Sequence, residues 1–273
     1  MSRNLGAATI SGVFDGCKSA DRAAFVAYLM AGDPLPSTTA ALIRAAIDGG
    51  ADIVELGFPY SDPLADGPSI QAAATRALRA GTTFDSVLQI ARSLPVPVPL
   101  VAFSYFNPLY VRGLERCARD LHQAGFAGAV IPDLPPEEGA EAVAVFASAG
   151  LALSFLVAPT TPAKRLSLIA RVSTGFIYVV SRMGVTGSVT VIDRGTKALA
   201  QRLREQTDKA LAVGFGISTP QQARMVATFA DGVIVGSALV DLIASSPPDQ
   251  ALPAVRSYCA RLSAACRRGA DNA

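Results

Sequence analysis

Eight times along this chain a short apolar run rich in β-branched residues gives way to a longer stretch with helical spacing. The runs fall at 25–31, 51–58, 98–106, 128–132, 151–158, 176–181, 210–216 and 231–236. Most are near-continuous rather than alternating, as strands buried on both faces of a parallel sheet are. Parallel strands need crossovers, and the intervening helices supply them. Eight such units close into a (β/α)8 barrel, the TIM barrel. An open doubly wound sheet is the competing architecture, but it ordinarily stops at five or six strands. The 273 residues suit one barrel, so residues 1–273 read as a single domain. Residues 1–24 read as a helical segment capping its bottom.

Capping signals place the helices. One is expected from Ser37, as N-cap, to the Gly49-Gly50 pair. Segments 112–124 and 136–149 each read as one helix, stopped by Gly125 and Gly150. Pro162 and Pro220 each stand just inside a Thr cap. Residues 70–93 hold two helices about Gly81-Thr82-Thr83, and 189–207 and the stretch to about 268 supply two more.

Composition narrows the partners. A net charge of +2 gives no strong pull toward nucleic acid or acidic membranes. Cys17, Cys117, Cys259 and Cys266 form no CxxC pair, which points away from a disulfide framework or structural zinc and toward the cytoplasm. No signal peptide is expected, and no apolar run is long enough to span a bilayer.

Active sites of such barrels lie at the C-terminal ends of the strands. The only histidine, His122, falls on the third helix, where a surface position is expected, so neither a His-based metal site nor a Ser-His-Asp triad is available. Lys18, Lys164, Lys197 and Lys209 all lie away from strand ends, against a Schiff-base mechanism. No GxGxxG or Walker A stretch follows a strand. Carboxylates remain: Asp33, Glu55, Asp62, Asp66 and Asp133. Glu55 interrupts an apolar strand, so burial should raise its pKa into the range of a general acid–base. A Glu held by structural hydrogen bonds fits the same position. Asp66 lies in a loop with Pro63, Gly67 and Pro68, and reads either as a turn residue or as part of a binding loop. Glycines follow the last strands in Gly184-Val185-Thr186-Gly187, Gly214-Phe215-Gly216 and Gly236-Ser237. Close backbone approach and helix N-termini there favour a phosphate.

The run Glu55-Leu56-Gly57-Phe58-Pro59-Tyr60-Ser61-Asp62-Pro63-Leu64-Ala65-Asp66-Gly67-Pro68 resembles the signature of the tryptophan synthase alpha subunit family. Ala31-Gly32-Asp33-Pro34, Tyr105-Phe106-Asn107-Pro108, Ile131-Pro132-Asp133-Leu134-Pro135, Gly214-Phe215-Gly216-Ile217-Ser218 and Gly236-Ser237-Ala238 agree in order, and the likeness spans roughly 20–245. It implies retro-aldol cleavage of indole-3-glycerol phosphate to indole and glyceraldehyde 3-phosphate. It implies no cofactor or metal in this chain, and a pyridoxal-phosphate beta subunit as partner in an α2β2 heterotetramer. By the resemblance, Glu55 moves protons and Asp66 holds the indole nitrogen. Tyr28, Tyr178 and Thr186 contact substrate, and Gly187, Gly216, Gly236 and Ser237 bind phosphate. Asp62, Asn107 and Asp133 belong to the partner interface. Tyr28 stands where some relatives carry Phe. Three readings compete: a free-standing indole-producing lyase, a subunit that only binds and activates its partner, and a barrel serving another phosphorylated substrate.

Overall fold

The computed structural model describes residues 7–94, 96–181 and 194–269. Its elements run α1 (Ala7–Ser19), β1 (Ala24–Met30), α2 (Pro36–Asp48), β2 (Ile53–Gly57), α3 (Pro68–Arg79), α4 (Phe84–Arg92), β3 (Leu100–Phe103), α5 (Phe106–Arg112), α6 (Leu114–Gln123), β4 (Phe126–Val130), α7 (Ala140–Ser148), β5 (Ala152–Ser154), β6 (Leu156–Val157), α8 (Ala163–Val172), β7 (Ile177–Val180), α9 (Arg194–Arg204), β8 (Leu211–Gly214), α10 (Pro220–Ala227), β9 (Gly232–Val235), α11 (Ser237–Ser245) and α12 (Ala251–Ala265). The strands form one parallel sheet in the order β5-β4-β3-β2-β1-β9-β8-β7-β6. β5 and β6 lie at opposite ends of that order, yet only Phe155 separates them in the chain. The Phe155 carbonyl accepts from the Tyr178 N–H at 3.0 Å, and its N–H donates to Ser173 Oγ at 3.4 Å. One apolar run therefore serves both edges and closes the barrel: eight strands, the fifth broken at Phe155.

Strand residues are buried on both sides, as their near-continuous apolar character requires. One set, including Val26, Tyr28, Ile53, Val101, Tyr178 and Ile234, fills the barrel interior. The alternate set, including Phe25, Val54, Leu56, Val179 and Val233, packs outward against the helices. Alternation along β2 puts Glu55 inside with Ile53.

The bottom of the barrel is capped by α1, as the sequence suggests. Phe14 meets Phe176 with centroids 5.8 Å apart, and a Cβ at Gly232 would lie 2.8 Å from the Phe14 ring. Past α1, Arg22 donates to both oxygens of Asp52 at 2.6 and 2.7 Å, while Asp52 Oδ2 also accepts the Phe25 N–H at 2.8 Å. Asp52 thus fixes the entry into β1. Asp52→Ala would leave a half-buried guanidinium and a backbone donor unpaired, costing about 2–3 kcal/mol. A lowered Tm is the expected result of thermal melting; an unchanged Tm would refute the bracing role.

Several boundaries differ from the sequence reading. The second helix starts at Pro36 with Leu35 as N-cap, because proline suits the first helical turn and displaces Ser37 from that role. The helix expected at 112–124 is α6, which starts two residues later, behind Gly113 at φ 87°, and a separate helix, α5, begins at Phe106 inside the expected third strand. The seventh helix begins at Ala140, after a turn through the prolines. Pro162 is itself the N-cap of α8, with no side-chain cap. The last stretch is two helices. His122 is half-buried, and its Nδ1 is buried without a partner rather than solvated. The capping box of Thr219 and Gln222 and the helix pair about 81–83 match expectation.

Candidate active site

At the C-terminal ends of the strands, a cleft is lined by residues including Tyr28, Asp66, Phe103, Tyr178, Gly216 and Gly236. Its walls are largely apolar, with an acid on one side and glycines on the other.

Glu55 sits beneath this cleft rather than on its surface. It is 0% exposed, and among the described residues neither carboxylate oxygen has a hydrogen-bond partner. The structural reading of Glu55 fails on that point, since no ladder or side chain satisfies it. Burial alone pushes its pKa up to about 8. At neutral pH Glu55 is therefore a neutral acid holding a proton it can give.

Asp66 is half-buried in the β2–α3 loop, at the rim of the cleft. Gly67 caps α3 and Pro68 opens it, so the helix start fixes the end of the loop. Burial raises the Asp66 pKa to about 6, opposed by hydrogen bonding from Tyr105. The Tyr105 hydroxyl accepts the Ala65 N–H at 2.9 Å, leaving its own proton for Asp66. Asp66 is thus mostly ionised at pH 7, while Glu55 is mostly neutral.

Two tyrosines stand between these carboxyls. Tyr28 and Glu55 are register partners on β1 and β2. Tyr28 packs edge-on to Phe103 at 5.5 Å, and Tyr178 meets Phe215 at 5.7 Å. A Cβ at Gly57 would lie 2.3 Å from the Tyr28 hydroxyl, and one at Gly214 would lie 2.5 Å from that of Tyr178. Both glycines exist to seat a phenol. Burial first, then nearby acids, hold both tyrosine pKa values well above 10. Phe215 adopts φ 68°, a left-handed conformation uncommon for a bulky side chain, and its ring lines the cleft.

The far end suits an anion. Gly236 caps α11, and Ser237 is its first residue, so the unpaired N–H groups of that helix start meet the cleft. Gly216, at φ 78°, lies beside them. No Lys or Arg lines this cleft among the described residues, so backbone donors carry the attraction. Thr186 and Gly187 lie outside the described residues.

The remaining expected residues collect on the rim. Asp62, Asn107 and Asp133 are exposed. Asn107 Nδ2 donates to the Tyr60 hydroxyl at 3.2 Å, and the Phe106 N–H donates to Asp133 Oδ1 at 2.8 Å. Asp33 is instead paired: Arg76 of α3 donates to both its oxygens at 2.7 and 2.8 Å. Sequence reasoning missed Ile70, Phe103, Tyr105 and Phe215 as site residues. The flanking glycines of Phe215 and the position of Tyr105 just past β3 were the available signals.

The family model for the tryptophan synthase alpha chain matches residues 14–267. The tryptophan synthase alpha chain of Thermosynechococcus vestitus is 48% identical over 256 residues, covering 93% of this chain and 96% of that one. That of Prochlorococcus marinus is 49% identical over 259 residues, covering 93% and 94%. In structure, a tryptophan synthase chain from Mycobacterium tuberculosis superposes with a TM-score of 0.88 at 37% identity, covering 95% of this chain and 98% of that one.

Proposed function

The chain belongs to the tryptophan synthase alpha chain family, and from that premise we propose how its cleft performs the family's reaction. It is a lyase of tryptophan biosynthesis that cleaves indole-3-glycerol phosphate to indole and glyceraldehyde 3-phosphate. Glu55, neutral at pH 7, turns its carboxyl up into the cleft and gives its proton to indole C3. The ring becomes a cation, and ionised Asp66 holds its N–H. The bond from C3 to the glycerol carbon then breaks, its electrons returning to the ring. The hydroxyl on that carbon gives its proton to the Glu55 carboxylate as the aldehyde forms, restoring the acid. Tyr28 and Tyr178 bound the indole. Gly216, Gly236 and Ser237, with Gly187, hold the phosphate, and Thr186 contacts the substrate. The observation that carries this reading is the pair of carboxyls at one cleft, Asp66 on its wall and Glu55 buried beneath it, one ionised and one neutral at neutral pH.

The chain works in a tryptophan synthase complex with a beta partner. We assign the partner face to Asp62, Asn107 and Asp133. Beside them Leu64, Tyr110 and Val111 are 85, 65 and 78% exposed, an apolar patch that a partner would cover. An α2β2 assembly in the cytoplasm fits this arrangement. Among the described residues no helix is long and apolar enough to cross a membrane. Any pyridoxal phosphate belongs to the beta partner, and we assign this single-domain chain, 1–273, no cofactor or metal of its own.

Incubating the purified chain with indole-3-glycerol phosphate, alone and with a beta partner, tests the proposal. Indole release is expected, faster with the partner. No indole under either condition overturns the reading, and a rate indifferent to the partner makes the chain a free-standing lyase.

A further inference from the structure

Two buried groups in this barrel lack partners and lie next to each other. Both Glu55 oxygens are orphaned, and so is the Tyr28 hydroxyl, on a residue only 5% exposed. The two residues are register partners on neighbouring strands, with side chains on the same interior face. The Tyr28 hydroxyl sits where a Gly57 Cβ would be, 2.3 Å from it. Gly57 is the next interior position after Glu55 toward the cleft. The phenol therefore lies on the path a Glu55 carboxyl takes from its buried seat to the substrate. Phe103 packs edge-on against the ring at 5.5 Å, and a Cβ on Gly236 would lie 3.5 Å from the Tyr28 side chain.

We infer that the Tyr28 hydroxyl is a positioning residue for Glu55, donating a hydrogen bond to its carboxylate when it reaches the cleft. This rests on the proton-carrier role proposed for Glu55. Once Glu55 gives up its proton, a carboxylate is left in a dry site, where an unpaired charge is costly. Tyr28 is the donor in place to receive it. The hydroxyl has no other partner, which is otherwise an expensive way to place a polar group. Other groups act on Tyr28 too: Asp66 from the β2–α3 loop, Tyr105 beyond β3 and Asp33 beyond β1, with Tyr178 of β7 also close to Glu55. None of them lies over Gly57.

The test is Tyr28→Phe, assayed with the beta partner across pH. Loss of one hydrogen bond to a charge predicts kcat lowered about ten- to hundredfold, with KM held within about twofold because the ring stays. The basic limb of the kcat profile, set by Glu55 losing its proton before turnover, moves to higher pH because ionised Glu55 has lost its donor. Replacing Tyr28 by 3-fluorotyrosine keeps the ring, strengthens the donor and moves the limb the other way; it also serves if the Phe variant misfolds. An unmoved limb, or a change confined to KM, overturns the inference. Glu55→Gln run in parallel separates the two levels. If that variant still turns over, the proton-carrier reading falls; if it is dead while Tyr28→Phe behaves as the parent, only the role of Tyr28 falls.

Discussion

Glu55→Gln lowers indole release by about 10²- to 10⁴-fold, the range for removing a general acid–base, while the protein stays folded. The amide copies the shape of the carboxyl but has no proton to give to C3. The same change stabilises the fold at neutral pH. The folded-state pKa of Glu55 is raised to about 8, above its ordinary value of 4.5. Between those values the unfolded chain holds Glu55 ionised, while the folded chain holds it neutral. Stability from this group is therefore present below about 4.5 and lost as pH rises to about 8. At pH 7 the cost is roughly 3 kcal/mol, and Gln removes it. Melting the parent and Glu55→Gln at pH 5 and pH 8 should show Tm raised in the variant more at pH 8. An inactive variant with an equal Tm at both pH values would leave the catalytic role intact but deny the buried, raised carboxyl.

The barrel was legible because its strands are buried on both faces, so each run is apolar without interruption. Glu55 was conspicuous for the same reason: a charge in such a run must do something or be satisfied. The closure was not legible. Phe155 looks like any other residue of the run 151–158, and only three dimensions show that its flanks pair with opposite edges. The helix α5 was not legible either: it occupies the end of an apolar run read as strand, and Gly113 at positive φ separates it from the expected α6. The cleft's apolar walls were also hidden. Phe103 and Phe215 are ordinary core residues by sequence, and become site residues because Tyr28 and Tyr178, seated over Gly57 and Gly214, pack against them at the cleft. Asp33 and Asp66 looked alike as loop acids, and the structure divides them by partner. Arg76 takes Asp33, whereas among the described residues Asp66 has a phenol for its partner, which leaves its charge for the ligand.

Asp66→Asn lowers kcat by about 10²- to 10³-fold, the effect of removing one preorganised group that faces developing charge. The amide oxygen can still accept an indole N–H, so KM changes much less than kcat. What is lost is the negative charge opposite the cationic ring, and that charge matters only once C3 has been protonated. The same residue sets the acid side of the pH profile. Asp66 works ionised and has a pKa of about 6, and Glu55 works neutral and has one of about 8. Activity of the parent therefore rises through about pH 6, falls through about pH 8, and peaks between. In Asp66→Asn the residual activity loses its acid limb, since nothing at that position titrates, and keeps its basic limb. An acid limb that stays near pH 6 in the variant would mean that another group sets it, and Asp66 would lose the role assigned here.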